Sequence, residues 1–199
     1  ASNGQGNIYF GHSGGTADGR IEYSHQADYM RFFTANDERL RITDDGEILI
    51  GHDTSRDVFK ETRVQISGAN GDDAGLSIYS TESGNAGPNL ILAHSRGGSA
   101  VTNNTVLGDI TFVGHDSTDL NSRASVIRSV MTANGTNNSL YADLIFYTKR
   151  NAGGYPDESL RIISDGNVSI GGRAVALSNY AISGAATTKL AVVEQSGGS

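Results

Sequence analysis

Residues 38–52 read Glu-Arg-Leu-Arg-Ile-Thr-Asp-Asp-Gly-Glu-Ile-Leu-Ile-Gly-His, and residues 158–172 read Glu-Ser-Leu-Arg-Ile-Ile-Ser-Asp-Gly-Asn-Val-Ser-Ile-Gly-Gly. Eight of these fifteen positions are identical, at a spacing of 120 residues. A unit that recurs at this distance indicates a chain built from modules, as in fibres and arrays. The repeat therefore favours a structural or binding protein over an enzyme.

Each copy of the repeated segment predicts a β-hairpin. Apolar and polar residues alternate in Leu40-Arg41-Ile42-Thr43, as a half-buried strand requires. Asp45-Gly46 and Asp165-Gly166 then separate two strand patterns. Asp-Gly in this position is a strong hairpin signal, because glycine adopts positive φ without a Cβ clash.

The repeat extends towards the N-terminus, since residues 6–12 resemble 108–115 and residues 30–34 resemble 144–148. We infer two copies of one β module. The predicted division of the chain has three parts. They are residues 1–62 (a first module, N-terminally incomplete), 63–174 (a second module with longer loops) and 175–199 (a C-terminal strand and a flexible tail).

The patterns predict an all-β fold of repeated hairpin modules, forming an intertwined trimeric fibre, a β-prism or a β-sandwich-like assembly. The predicted strands are 7–10, 20–24, 29–34, 38–43, 47–50, 63–67, 76–80, 89–94, 108–113, 124–131, 142–148, 158–163, 167–170 and 188–193.

Composition suggests that the chain does not close a deep core alone. It has 26 Gly, no Trp and an apolar fraction of 37%, below the roughly 45–50% of typical domains, a range that also counts glycine. Intertwined association would bury strand faces and edges against other copies. We therefore expect Ile42, Ile50, Ile162 and Ile170 to be partly buried by other subunits.

Charge and cysteine content exclude several function classes. The net charge is −7 and there is no run of Lys or Arg, which argues against nucleic-acid binding. The absence of cysteine removes disulfides, thiol catalysis and thiolate metal sites. No apolar run approaches the length of a membrane span, so no membrane insertion is expected. No motif for a cofactor is present.

The strings that carry a family resemblance lie in both halves of the chain. They are residues 19–25, 30–34 and 38–51, and then residues 87–98, 107–112 and 158–171. Together they resemble the repeats of bacteriophage tail-fibre proteins over about residues 6–172. The resemblance implies a virion protein that extends the particle and attaches it to a host. Such repeats often precede a C-terminal self-cleaving chaperone domain of the endosialidase type; whether one was removed here is left open.

Four carboxylates are the candidates for a glycan-cleaving pair, namely Asp72, Asp73, Asp116 and Asp119. Each lies in a stretch rich in Gly, Asn or Ser, where aspartate is ordinarily a turn former. We therefore expect no catalytic residues and no enzyme activity, with a polysaccharide-depolymerising tailspike as the alternative.

The five histidines, His12, His25, His52, His94 and His115, form no metal-binding motif. His12 and His115 occupy matching places in the two modules, so a metal site on a trimer axis is one interpretation. A turn or surface role is the favoured one, and no metal is expected.

The paired arginines Arg41 and Arg161 also have two interpretations. They could bind an anionic sugar, or form a cross-strand or inter-subunit salt bridge with Glu38 or Glu158. The structural interpretation is favoured, because a ligand site does not require identical copies in both modules.

The aromatic pairs Tyr9-Phe10, Phe32-Phe33 and Phe146-Tyr147 predict one ring turned inward as core and one outward, with burial favoured over sugar stacking. Four long polar loops differ between the modules and are the predicted binding regions. They are Ser95–Leu107, Asp116–Ser122, Ala133–Asn138 and Lys149–Asp157.

The sequence therefore predicts a tail fibre or spike component of a virion, which binds the host surface without catalysis. Its expected partners are its own copies in a homotrimer, other virion proteins and a host glycan or receptor. The specific receptor-binding residues are unknown at this point. A capsid-attached fibre or decoration protein and a bacterial adhesin are the further alternatives.

Overall fold

The computed structural model describes residues 4–11, 18–60, 62–136, 138–150, 154–171 and 190–192, and within these ranges it contains β-strands and no helix. The chain divides into two units, Ala1–Asn89 and Leu90–Ser199. Each unit contains one six-stranded sheet. The prediction of an all-β fold is confirmed. Among the described residues, no helix is long and apolar enough to cross a membrane.

The first sheet has its strands in chain order. They are β1 (Gln5–Phe10), β2 (Gly19–Ser24), β3 (Tyr29–Thr34), β4 (Asp37–Ile42), β5 (Ile48–Ile50) and β6 (Val64–Ile66). Neighbours from β1 to β5 pair antiparallel, whereas β6 pairs parallel to β5. The parallel pair requires a crossover, and residues 51–63 supply it.

The second sheet repeats this topology. Its strands are β7 (Val106–Gly114), β8 (Ser122–Met131), β9 (Ala142–Thr148), β10 (Asp157–Ile162), β11 (Val168–Ile170) and β12 (Leu190–Val192). The first five are antiparallel neighbours and β12 pairs parallel to β11. The sequence repeat therefore marks two copies of a complete six-stranded sheet.

The two predicted hairpins have the same geometry. Leu40, Arg41 and Ile42 pair with Ile50, Leu49 and Ile48, and the second copy pairs residues 160–162 with 168–170 in the same register. Gly46 and Gly166 both have positive φ, 85° and 88°. Each turn has three residues ending in a left-handed glycine, which explains why Asp-Gly recurs in both copies.

A bulge follows the same position in each repeat. In β4 the extra residue is Arg39, and in β10 it is Ser159. The carbonyl groups of these two residues accept hydrogen bonds from the N–H groups of Gly51 (3.2 Å) and Gly171 (2.9 Å). The Ile-Gly pair that ends each repeat is thus tied to the bulge.

Gly51 and Gly171 offer a matched pair of substitutions. Both have positive φ, 80° and 90°, which costs a non-glycine residue about 1–2 kcal/mol. A Cβ at Gly51 would also lie 2.3 Å from the Ser67 carbonyl oxygen, whereas one at Gly171 would meet nothing within 4 Å. We expect Gly51→Ala to lower the thermal midpoint clearly more than Gly171→Ala, as measured by circular dichroism. Equal shifts would contradict the packing of Gly51 against Ser67.

Two features differ from the sequence expectations. The segments 76–80 and 89–94, predicted as strands, have no regular secondary structure within the chain. The predicted boundary between residues 62 and 63 also differs, because β6 completes the first sheet and the units divide after Asn89. The predicted strand 63–67 is confirmed as β6, but its alternation does not show that it pairs with β5 rather than opening a second module. Of the predicted strand 188–193, only residues 190–192 lie within the described ranges.

The two faces of each sheet differ in chemistry. One row of apolar side chains runs across all six strands of the first sheet, and across β7 to β11 of the second, on what we call the apolar face. The row is Ile8, Ile21, Phe32, Leu40, Ile50 and Ile66 in the first sheet, and Ile110, Ile127, Phe146, Leu160 and Ile170 in the second. The opposite side, the charged face, carries arginine and carboxylate side chains among a few apolar ones.

In the single chain the charged faces are the more buried ones and the apolar faces are the more exposed ones. The charged face contains the fully buried Leu49 together with Glu22, which is 3% exposed. In the first unit the β5–β6 crossover lies over this face, because the Gln65 side chain, in register with Leu49, bonds to Ser55 and Arg56. Four of the six buried apolar side chains among the described residues, Phe33, Leu49, Val126 and Ile145, therefore lie on the charged faces.

Candidate functional site

The apolar faces are a chemically distinctive surface of each described sheet. Ten large apolar side chains on them are between 36% and 60% exposed. They are Ile8, Phe10, Met30, Ile50 and Val64 in the first sheet, and Ile110, Phe112, Leu144, Ile162 and Ile170 in the second. Contiguous apolar surface of this kind marks an interaction site in a soluble protein.

The aromatic pairs also differ in burial between the charged and the apolar faces. Phe33, on the charged face of the first sheet, is 8% exposed, whereas its neighbour Phe32 is half-buried on the apolar face. Tyr9 and Phe10 are 60% and 57% exposed, so the expected burial of that pair is wrong for the single chain. β1 is an edge strand, and nothing described in this chain covers its apolar side.

The paired arginines form the salt bridges that the structural interpretation predicted. Arg41 makes a two-pronged contact with Glu38, at 2.7 and 2.8 Å. Arg161 contacts Glu158 in the same way, with Nε to Oε1 at 3.0 Å. The partners lie on one strand rather than across strands. The bulge is the reason, because it brings residues three apart onto one face.

The second partner of each arginine differs between the modules. The Arg41 guanidinium lies 4.3 Å from the centre of the Tyr29 ring. At the equivalent place in the second sheet, Asp143 contacts Arg161 at 2.6 Å and is itself 3% exposed. Both modules therefore contain the arginine and its glutamate, but the residue that contacts the arginine from the neighbouring strand is Tyr29 in one and Asp143 in the other.

These contacts hold both guanidinium groups in their charged form. The hydrogen bond from Arg41 to Glu38 raises the pKa of Arg41, against a smaller opposing effect of burial. The pKa of Arg161 is raised for the same reason, through Glu158 first and with Asp143 contributing. Because the hydrogen-bonding groups of both arginines are engaged with carboxylates, the arrangement fits a structural role.

The candidate carboxylates occupy turns. Asn70 Oδ1 accepts hydrogen bonds from the backbone N–H groups of Asp72 and Asp73, and its side-chain amide donates to Asp73 at 2.7 Å. Asp116 Oδ1 accepts from the backbone N–H groups of Thr118 and Asp119. Turn formation accounts for these contacts.

The pKa of Asp116 is lowered to about 2, first by a hydrogen bond from the Ser122 hydroxyl and then by the two backbone N–H groups. A carboxyl group with this pKa is ionised at neutral pH and does not serve as a general acid.

The low pKa predicts how the β7–β8 loop responds to acid. The folded pKa lies below the ordinary value of 3.8, so the stabilisation is complete above that value and is lost as the pH falls towards 2. A ¹³C NMR titration of the Asp116 carboxyl should have its midpoint near 2, and Ser122→Ala should raise it. A midpoint near 4 in the unaltered chain would contradict the hydrogen-bonded turn.

The described histidines do not converge. His25 packs edge-on against Tyr23, with ring centres 5.0 Å apart. His52 Nδ1 donates to the Thr54 carbonyl at 2.9 Å, and His115 Nδ1 accepts from the Ser117 N–H at 3.1 Å. His12 lies outside the described residues. Within the described ranges no three His, Asp or Glu side chains are placed to hold a metal ion.

The four long loops of the second unit fall into two groups. Ser95–Leu107 lies beside Ala133–Asn138, since the Gly135 N–H donates to the Val101 carbonyl at 2.8 Å. Asp116–Ser122 and Lys149–Asp157 follow the other ends of the same strands, where the Lys149 N–H donates to the Ala124 carbonyl at 2.9 Å. The antiparallel order of β7, β8 and β9 imposes this separation.

A cleft of about 670 Å³ lies between the first two loops. Hydroxyl, amide and imidazole groups line it together with Val101 and Leu140, and none of its described lining residues is a carboxylate, Lys or Arg. The polar members are His94, Ser95, Ser99, Thr136, Asn138 and Ser139. Leu140 and the adjacent Tyr141 are 61% and 54% exposed. The size lies within the roughly 300–1,000 Å³ of small-molecule sites.

No family model matches this chain, and no curated protein matches it. Among solved structures, the chain is similar to the carboxy-terminal domain of the bacteriophage T5 L-shaped tail fibre, at a TM-score of 0.63 and 12% sequence identity. The match covers 98% of this chain and 87% of that chain. The chain has the fold of that domain.

A second solved structure, the same T5 carboxy-terminal domain with its intramolecular chaperone domain, matches at a TM-score of 0.52 and 13% identity. Here the match covers 98% of this chain and 61% of that chain. The resemblance inferred from the repeated strings is thus confirmed at the level of the fold. The tail-fibre fold extends over almost the whole chain, including both six-stranded sheets.

Sequence reasoning missed Asp143, and it did not show that two of the predicted binding loops join to form one cleft. Asp143 carries no motif, and its role depends on β9 lying next to β10 in a register that places it near Arg161. The cleft depends on two loops separated by some thirty residues of chain. The sequence did carry signals for the two loops, Ser95–Leu107 and Ala133–Asn138, as long polar segments, and for the apolar faces, as period-two alternation with too few large residues for a core.

Proposed function

We propose that this chain is a component of a bacteriophage tail fibre, that three copies assemble through their apolar faces, and that its loops attach the virion to a host-surface glycan without turnover. The observation that carries the proposal is the tail-fibre fold, which matches over 98% of the chain despite 12% identity. A capsid-attached fibre would share these features, so particle imaging with an antibody against this chain is the test of position.

Assembly is supported by the inverted burial of the two sheets. Six large apolar side chains are buried among the described residues, whereas nineteen are exposed. Burying an apolar side chain of this size contributes about 1.5–3 kcal/mol, so covering the ten on the apolar faces is strongly favourable. The resemblance to tail-fibre proteins implies three copies, and a closed ring of three would turn every apolar face towards the axis.

Attachment is supported by the cleft between residues 94–101 and 135–140. Its hydroxyl and amide groups offer hydrogen bonds to sugar hydroxyls, while Leu140 and Val101 provide apolar contact. None of the lining residues that the structure describes is a carboxylate, Lys or Arg, which favours an uncharged sugar. Three copies per fibre would raise weak single-site affinity by about 10²–10⁴ where the geometry lets them engage together.

Binding without turnover is the proposed mechanism because the candidate acids are engaged in turns. The rival function is a depolymerase. We would incubate the purified assembly with an array of bacterial surface polysaccharides, measure retention, and size each polymer afterwards. Retention with unchanged polymer length is expected, and Leu140→Asp should abolish retention. If the unaltered protein shortens the polymer and Asp116→Asn or Asp119→Asn leaves it at full length, the protein is a depolymerase instead.

A further inference from the structure

Residues 75–95, which we call the arm, carry strand sequences that have no partner in this chain. Leu76-Ser77-Ile78-Tyr79 and Asn89-Leu90-Ile91-Leu92 are apolar enough to predict strands, yet neither pairs with another described segment. Every residue of the arm is exposed. Its six large apolar side chains, Leu76, Ile78, Tyr79, Leu90, Ile91 and Leu92, are between 48% and 78% exposed.

The backbone of the arm, as described, also lacks hydrogen bonds to other backbone groups. The hydrogen bonds described within the arm join residues close in sequence and involve a side chain. Examples are Glu82 N–H to Ser80 Oγ at 3.1 Å and Asn89 Nδ2 to the Gly87 carbonyl at 3.4 Å. Backbone donors and acceptors in apolar segments are normally paired, and isolated strands are not stable in water. A solvated linker does not explain the arm either, since linkers lack large apolar residues.

The C-terminal end of the arm lies against the apolar face of the second sheet. A Cβ built on Gly108 would be 2.9 Å from Leu92 Cβ, so Leu92 fills the space that the glycine leaves. Gly108 is two residues before Ile110 and shares its side of the sheet. The exposed apolar row of the arm is therefore continuous with the surface that we propose is covered by other copies.

We propose that the arm pairs as β-strands with a second copy of this chain and so interlocks the subunits. This inference rests on the proposed assembly and names the segment through which one copy pairs with another. The occupant is another copy because the arm continues the apolar face that copies share. Glu82 is the one carboxylate or Lys or Arg side chain between Gly75 and Ser95, so the arm offers little charge with which to select a different partner. Strand addition requires only backbone pairing and apolar contacts.

Hydrogen–deuterium exchange on the assembled protein tests the pairing. Amides at 76–79 and 90–92 should exchange at least about 100-fold more slowly than those of an unstructured peptide, as in paired strands. The β8 amides serve as the protected reference and the turn at residues 44–46 as the unprotected one. Fast exchange in the arm beside slow exchange in β8 would overturn the proposal.

Photo-crosslinking identifies the partner. The chain has no cysteine, so Ser77→Cys places a single benzophenone label on the arm, and Thr118→Cys places one on an exposed turn. Denaturing electrophoresis should show linked chains for Ser77→Cys and single chains for Thr118→Cys. Labelling that stays within one chain in the multimer would overturn the arm proposal and leave the proposed function intact. A single-chain mass by light scattering would overturn both.

Discussion

Replacement of Ile50 by aspartate should abolish assembly while leaving the individual chain able to form its sheets. Ile50 is 37% exposed in the single chain, so a carboxylate there remains hydrated. In the proposed trimer, three such charges would face one another in an apolar interior. Removing an unpaired charge from water costs several kcal/mol even after relaxation, and the three repel. Light scattering should therefore show the mass of one chain, 20.9 kDa, instead of three.

Leu140→Asp is the matched control for that substitution. Leu140 is 61% exposed but lies in the cleft rather than on an apolar face. This variant should keep the mass of the multimer and lose retention on polysaccharide, the opposite of the outcome for Ile50→Asp. If Ile50→Asp retains the full mass, the apolar face of the first sheet is not the interface.

Asp143→Ala should produce the largest loss of stability among the polar substitutions. Asp143 is 3% exposed, contacts Arg161 at 2.6 Å and accepts from the Ser164 N–H at 2.9 Å. Removing one partner of a buried pair costs about 3–5 kcal/mol. The Arg161 side chain is 29% exposed and keeps its contact with Glu158, so we expect Asp143→Ala to lower the free energy of unfolding by about 2–3 kcal/mol. Chemical denaturation followed by circular dichroism measures this loss.

Asp157→Ala supplies the control, since it removes a carboxylate from an exposed ion pair. Asp157 and Arg150 are separated by 3.6 Å and their side chains are about half exposed. Such pairs contribute about 0–1 kcal/mol, so the stability should hardly change. Similar losses for Asp143→Ala and Asp157→Ala would contradict the burial of the Asp143 carboxylate.

The hairpins could be predicted from sequence because their determinants are local. Gly46 and Gly166 adopt the positive φ that Asp-Gly implies, and alternation within four residues fixes which side chains share a face. The same reasoning located most of the paired strands. It also predicted that other subunits partly bury Ile42, Ile50, Ile162 and Ile170. In the single chain Ile50, Ile162 and Ile170 are each more than a third exposed, whereas Ile42 is half-buried.

The pairing of Arg41 and Arg161 with Glu38 and Glu158 could be predicted from sequence, but the geometry of the charged faces could not, because it depends on bulges and on the register of neighbouring strands. The one-residue bulges at Arg39 and Ser159 bring Glu38 to Arg41 and Glu158 to Arg161, and simple alternation would have separated them. Whether Arg41 meets Tyr29 or Arg161 meets Asp143 depends on the register of the neighbouring strand. Local patterns do not encode that register.

In the arm the local sequence predicts strands that the single chain does not form. Residues 76–79 and 89–92 satisfy the local rules for strands, yet a strand also needs a neighbour, and the chain offers none. The proposed copies would provide it. A correct local pattern without an intrachain partner is thus informative in itself, since it indicates where another chain is required.

The mass of the purified protein in dilute solution tests the central claim most directly. Light scattering and sedimentation should give three times the 20.9 kDa mass of the chain, with no change on dilution through the micromolar range. That result follows if the apolar faces lie inside a trimer. A folded single chain that stays soluble at 20.9 kDa, with Ile50 and Ile170 exposed to water, would contradict it.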